Sequence, residues 1–202
     1  MRGLLRGFGL KVGEVSKGQF AARVRVLVAG HSMLEQIAEA MLRAREGLRE
    51  EFGKLHRAML VIARTDTVCR QLMTVPGVGA LVAVTYTSAV DDPRRFAHSK
   101  AAGAHFGLTP KKYQSGETDL TGAISKVGDA LVRTALYEAA HIMLTRAVRF
   151  SALKRWALEV AKRRGMKRAK VALARKMAVV LHAMRRDGTA FCWGKATAAQ
   201  TV

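Results

Sequence analysis

Between Leu34 and Ile62 the apolar residues Leu34, Ile37, Met41, Ala44, Leu48, Phe52, Leu55, Met59 and Ile62 recur in steps of three and four. That spacing holds over about four heptads and predicts one long helix with a single apolar stripe. Ser32 and Glu35 stand at its start with the spacing of a capping box, in which each side chain satisfies the other's backbone N–H. Arg43, Arg45, Glu46, Arg49, Glu50 and Glu51 flank the stripe, mixed charge that suits a solvated face or pairing with a second helix. Two readings stay open here: the seam of a coiled coil between chains, or a helix laid on its own domain. Gly47 and Gly53 weaken the helix slightly.

After Arg64 the period breaks at Thr74-Val75-Pro76-Gly77-Val78-Gly79-Ala80, a tight turn between a helix and the apolar segment Leu81 to Val84. Pro76, Gly77, Val78 and Gly79 resemble the turn of a helix-hairpin-helix element, whose backbone N–H groups meet a DNA phosphate. A plain helix-helix connection has the same pattern. Asp91-Asp92-Pro93 marks a turn and a helix start, followed by a short helix from about Ser99 to Phe106. Gly107 to Gly122 has no apolar period and reads as a loop with room for a short β-hairpin, displaying Lys111, Lys112, Tyr113, Gln114 and Ser115. Loops this long in compact domains are usually functional. A helix follows from about Val127 to Arg149, burying Leu131, Val132, Ala135, Leu136, Ala139, Ile142 and Met143. Helices from Ser151 to Arg164 and from Met166 to Arg186 end at Gly165 and at Asp187-Gly188. The expected fold is mainly α: a long coiled-coil-capable helix at 31–67, then a compact helical domain at 68–194 with a helix-hairpin-helix-like element. Residues 1–30 read as a linker and 195–202 as a disordered tail.

Composition narrows the function. Lys and Arg number 35 against 15 Asp and Glu, a net charge of +20, and the stretch from Arg146 to Arg186 alone holds 14 of those cations against one acid, Glu159. So one-sided a charge repels itself in a compact chain and fits a polyanion, which makes the last helices a nucleic-acid face rather than a merely solvated one. Aromatic residues are 6% of the chain, which argues against stacking platforms for single strands and towards duplex or backbone-only recognition. Cys69 and Cys192 belong to no CxxC pair or His cluster and read as reduced, buried thiols of a cytoplasmic protein. Leu72 to Val90 is uncharged, but Pro76, Gly77 and Gly79 break it, so no membrane partner is expected. Met1 to Phe8 is too interrupted for a signal peptide.

Nucleotide-loop, zinc-helix and nucleophile-elbow motifs are absent, and the six His residues show no partner pattern. His141, on an apolar helix, reads as a packed core residue. Asp91, Asp92, Glu117 and Asp119 lack the spacing of a two-metal site, so neither a metal site nor a cofactor is expected in this chain. One constellation goes further. Ser115 has Lys112 close by, with Lys126 and Arg133 a little further on, so its hydroxyl could sit among cations where a phosphate docks. A simple turn at Ser115-Gly116 is the competing reading. On residues alone the chain is a basic helical protein that binds nucleic acid without catalysis.

Ordered motifs add a resemblance. Leu4-Leu5-Arg6-Gly7-Phe8-Gly9-Leu10-Lys11-Val12-Gly13, Leu72 through Gly79, Asp91-Asp92-Pro93-Arg94-Arg95-Phe96, Gly107-Leu108-Thr109-Pro110, Tyr113-Gln114-Ser115-Gly116-Glu117, Ile124 through Asp129, and Arg133 through Ala140 occur in that order. Together they resemble the C-terminal domain of the DEDD-type insertion-sequence transposases of the insertion-sequence-110 type, relatives of the Piv site-specific invertases. The resemblance implies DNA strand exchange, with Ser115 as a serine nucleophile that forms a phosphoserine bond. Lys111, Lys112, Lys126 and Arg133 then become phosphate clamps, and the turn Pro76 to Gly79 a DNA contact. It also implies a homo-oligomer through the coiled coil, a guide RNA as partner in some members, and Mg2+ held by four carboxylates of an N-terminal RuvC-like domain in full-length members. Those carboxylates are not among the motifs matched here. Residues 1–30 are then expected to be the end of that domain in a truncated chain, inactive alone or acting only by pairing with a full-length partner.

Overall fold

The computed structural model describes residues 1–115, 117–147 and 149–194, and it is mainly helical. The expected tail at 195–202 and the Gly116 of the Ser115 turn lie outside the described residues. The chain divides into two compact units, Met1–Ala58 and Met59–Val202.

In the first unit, α1 (Arg2–Gly7), α2 (Phe20–Val28) and the start of α3 (Ser32–Thr65) build a small core of their own. Residues 1–30, expected as a linker or a domain end, supply Leu5, Val12, Val24 and Val28 to it. Helix α3 contributes Leu34, Ala38 and Leu42, a one-turn repeat that differs from the stripe in its sequence. Only Leu34 belongs to both sets. Leu48, Phe52 and Leu55 are 73%, 70% and 70% exposed, so the stripe runs along the solvent side of the helix. The capping box closes on a different residue than expected. The His31 carbonyl accepts the first helical bond, from the Glu35 N–H at 2.8 Å, which puts Ser32 inside the first turn, and the Glu35 carboxylate accepts from the Gly30 N–H at 2.8 Å.

The second unit runs α4 (Thr67–Leu72), α5 (Ala80–Val90), a 3-10 turn (Pro93–Arg95), α6 (Lys100–His105), β1 (Pro110–Ser115), β2 (Thr118–Ile124), α7 (Ala130–Thr145), α8 (Ala152–Arg164) and α9 (Met166–Asp187). Helix α9 is its centre, burying Ala169, Leu173, Ala174, Met177, Ala178, Leu181 and His182 against the other helices. Tyr86 on α5 is fully buried and donates its hydroxyl to the Ala178 carbonyl at 2.7 Å. Burial pushes that phenol's pKa far up, so it stays a neutral donor.

Helix α7 is shorter at both ends than its apolar spacing predicts. Gly128 adopts φ +88 where a Cβ would strike the His105 carbonyl, so the chain cannot be helical there. Asp129 then caps the helix, its carboxylate accepting from the N–H groups of Leu131 and Val132 at 2.7 and 3.1 Å. Leu131 and Ile142, expected in the core, are 63% and 39% exposed because they fall off the face that Val132, Leu136, Ala139 and Met143 bury. Cys192 is also exposed, contrary to expectation, while Cys69 is buried. His141 is half-buried, and its Nδ1 has no hydrogen-bond partner. Among the described residues no helix is long and apolar enough to cross a membrane, which removes the Leu72 to Val90 alternative.

Gly77 shows why the turn between α4 and α5 needs glycine. Its φ is +87 and a Cβ would collide with the Ala139 carbonyl of α7, so the turn docks backbone to backbone. Val75 and Val78 on either side are buried. Gly77→Ala is expected to cost about 2–4 kcal/mol in guanidinium unfolding. Gly79→Ala, with nothing within 4 Å of its Cβ, costs about 1 kcal/mol or less.

Candidate nucleic-acid interface

The stretch read as a loop from Gly107 to Gly122 is an antiparallel β-hairpin, with Lys112 opposite Thr121, Tyr113 opposite Leu120 and Ser115 opposite Thr118. Every residue of β1 is exposed. A two-stranded hairpin is marginal by itself, so its base must be held. It is held by backbone bonds that join its two flanks: the Ser125 N–H donates to the Thr109 carbonyl at 2.9 Å and the Lys126 N–H to the Gly107 carbonyl at 3.1 Å. Closing that base puts Lys126 at φ +59, a left-handed conformation that few residues other than glycine adopt.

This geometry separates the cations grouped around Ser115 by sequence. Ser115 ends β1 at the tip, while Lys126 lies past the base of β2. At about 3.3 Å per residue, five residues of strand put roughly 16 Å between the base and the tip. Lys111 and Lys112 lie on the same strand as Ser115, and strand alternation sends Lys112 and Ser115 to opposite faces. Among the described hydrogen bonds none involves the Ser115 hydroxyl.

Arg133 is half-buried one turn into α7, and its Nη1–H donates to the Phe106 carbonyl at 3.1 Å, the C-cap residue of α6. It thus satisfies a helix-end acceptor whatever else it binds. The turn Pro76 to Gly79 presents Gly79 to solvent as the N-cap of α5, with no acidic residue in the first turn of that helix. On the α4 side, Asp66 accepts the Cys69 N–H at 2.6 Å, and that bond holds its carboxyl below the usual carboxylate range.

The basic run from Arg146 to Arg186 splits into two groups. Some of its cations bind helix ends: Arg185 donates to the carbonyls of Thr87 and Asp91 at 3.3 and 2.6 Å at the end of α5, and Lys154 donates to the Ala147 carbonyl at 2.6 Å. Others, such as Arg164, Lys167, Arg168 and Arg175, are exposed. Charge counting finds the run but cannot tell these groups apart.

The fold and these surfaces define a helical, strongly basic protein with an exposed hairpin arm. Residues 69–155, which contain the hairpin and the α4–α5 turn, match the Transposase IS116/IS110/IS902 family. Over 191 residues the chain is 29% identical to "Transposase for insertion sequence element IS1111A" of Coxiella burnetii, covering 91% of this chain and 52% of that protein. Over 197 residues it is 26% identical to "Probable family 20 transposase" of Pseudomonas aeruginosa, covering 95% of this chain and 58% of that protein. The chain spans about half the length of the curated relatives it matches.

Because Arg133 serves the fold as well as any ligand, Arg133→Ala is expected to lower stability by about 1–2 kcal/mol without nucleic acid present. Chemical denaturation of the free variant measures this, and an unchanged midpoint would remove the structural role.

Proposed function

We propose that the chain acts on DNA as part of an insertion-sequence transposase, with Ser115 as the nucleophile of strand exchange. The observation that carries the reading is the serine at the tip of an exposed, lysine-bearing hairpin inside the segment that matches the transposase family. In the reaction the Ser115 Oγ bonds to phosphorus as one phosphorus–oxygen bond to a sugar breaks, and the proton lost from the serine hydroxyl ends on the departing sugar oxygen. The phosphoserine link conserves the energy of the diester, so that a second DNA end can be joined by the reverse step.

Lys111, on the serine's face of β1 but about 13 Å back along the strand, and Lys112, on the opposite face, bind phosphates that flank the reacting one. Lys126 and Arg133, at the hairpin base, bind phosphates further along the DNA, and the exposed α5 N-terminus beyond Pro76, Gly77 and Val78 offers Gly79 and its neighbours to another. A lysine at the left-handed position 126, where glycine would be unstrained, favours a use for its charge. The exposed stripe of Leu48, Phe52 and Leu55 pairs α3 with a second copy as a coiled coil. A guide RNA, the further partner implied by the resemblance, would compete for the same basic surface. Among the described residues no three His, Cys, Asp or Glu side chains gather to hold a cation.

Ser115→Ala decides between strand exchange and simple binding. In a chimera carrying the RuvC-like domain of a relative, it is expected to cut recombination by more than about 1,000-fold while DNA affinity stays within about twofold. Recombination at the parental rate would leave only a nucleic-acid-binding role. For the second copy, sedimentation of the Leu48→Glu, Phe52→Glu variant should show a monomer where the parent is a dimer. A monomeric parent would return the stripe to a different use.

A further inference from the structure

A groove of about 1730 Å³ runs along α9 in the second unit, bordered by α8, by the start of α6 and by the base of the hairpin. It is larger than the roughly 300–1,000 Å³ that small ligands occupy, which suits a polymer. Its floor is apolar, with Trp156, Val160, Val179 and Val180. Its rim is cationic. Arg168, Arg175 and Arg186 recur at seven and eleven residues, two and three turns of helix, and so share one face of α9. At 1.5 Å per residue they span about 27 Å. Lys100 and Arg164 stand on the facing walls. Among the described lining residues Asp187 is the one carboxylate, and Arg186 already holds it at 2.7 and 3.1 Å. Inside the groove the Lys176 ammonium lies 4.3 Å from the centre of the Trp156 ring, and burial draws its pKa down. A phosphate alongside would offset that desolvation.

We infer that this groove holds a single strand of DNA, with phosphates on the arginine rim and unpaired bases against the apolar floor. The inference rests on the DNA-acting role proposed above and adds the form of DNA and its seat. A duplex keeps its bases stacked inside and its phosphates outside, so it could satisfy the rim but would leave the floor uncovered. An unpaired strand satisfies both. DNA is favoured over RNA by the DNA-acting role proposed above, and binding of RNA is one of the outcomes the test below separates. The low aromatic content of the chain does not oppose this. The groove needs one ring, and Trp156 is placed there.

Fluorescence anisotropy of the full chain with a labelled oligonucleotide of about 15 nucleotides tests the seat, with the same sequence offered as single-stranded DNA, duplex and RNA. Single-stranded DNA should bind at least about tenfold more tightly than the other two. The double variant Arg168→Gln, Arg175→Gln should weaken it by about tenfold or more and reduce the slope of log K against log salt by about 1.4, two phosphates at roughly 0.7 each. In a Trp193→Phe chain, the fluorescence of Trp156 should be quenched as single-stranded DNA is added, a readout that needs no change in the groove. Equal or tighter binding of duplex or RNA overturns the occupant. Unchanged affinity in the folded double variant overturns the seat, and if that variant does not fold, an unquenched Trp156 does the same. Failure to bind any of the three polynucleotides would sink the DNA-acting reading itself, whereas failure of the groove alone leaves Ser115 and its hairpin untouched.

Discussion

Helix α9 can be buried by several neighbours at once because the side chains it turns inward are small or not branched at Cβ. Ala169, Ala174 and Ala178 let neighbouring helices come close, and Leu173, Met177 and Leu181 fill the space between. The one polar group on that face, His182, is fully buried yet satisfied on both sides. Its Nε2 lies 2.8 Å from the Pro93 carbonyl, which can only accept, so the proton sits on Nε2 and Nδ1 accepts from the Ser99 hydroxyl at 2.9 Å. Those two bonds tie the 3-10 turn and the start of α6 to α9. The positions of α6 and α8 around the groove follow from that packing.

An inward face without free charge forces the cations outward. The ion pairs present, such as Arg25 with Glu39 and Lys162 with Glu159, are exposed and screened by water and salt, too weak to cancel the excess. Arg185 and Lys154 are absorbed by helix-end carbonyls, and Arg133 by the end of α6. What remains is a set of exposed arginines and lysines held at fixed helical spacing. Their mutual repulsion is a standing cost in the free chain, and a polyanion relieves it.

How much of this was legible in the sequence depended on whether burial leaves a pattern. The ends of α8 and α9 were legible because Gly165 and Gly188 are C-caps with positive φ. The long helix was legible from its period, but period alone could not say that Leu34, Ala38 and Leu42 face the core while Leu48, Phe52 and Leu55 face water. The hairpin was readable only as a loop with room for two strands, because β1 is exposed along its whole length and no alternation of apolar residues marks it. The start of α7 was misread because Gly128-Asp129 acts through backbone geometry and a side-chain cap rather than through hydrophobicity. The separation of Ser115 from Lys126 was hidden for a related reason. It depends on which backbone groups close the hairpin base, and neighbours in sequence carry no record of that.

The hairpin base joins the two surfaces that carry the functional reading. Pro110 and Thr121 to Ile124 line the groove, and the same strands end at Ser115. Any strand lying in the groove therefore passes the root of the arm that bears the serine, and must travel about 16 Å along the hairpin to reach it. Lys111, on the serine's face of β1, occupies that path. Its placement between groove and tip is what a backbone leaving the groove would need to stay neutralised as it approaches Ser115. The bonds from Ser125 to Thr109 and from Lys126 to Gly107 then do more than hold a marginal hairpin together, since they set the direction in which the arm leaves the groove. Strain at Lys126 is the local cost of that direction. A glycine there would relax the base and loosen the one element that relates the serine to the α9 rim.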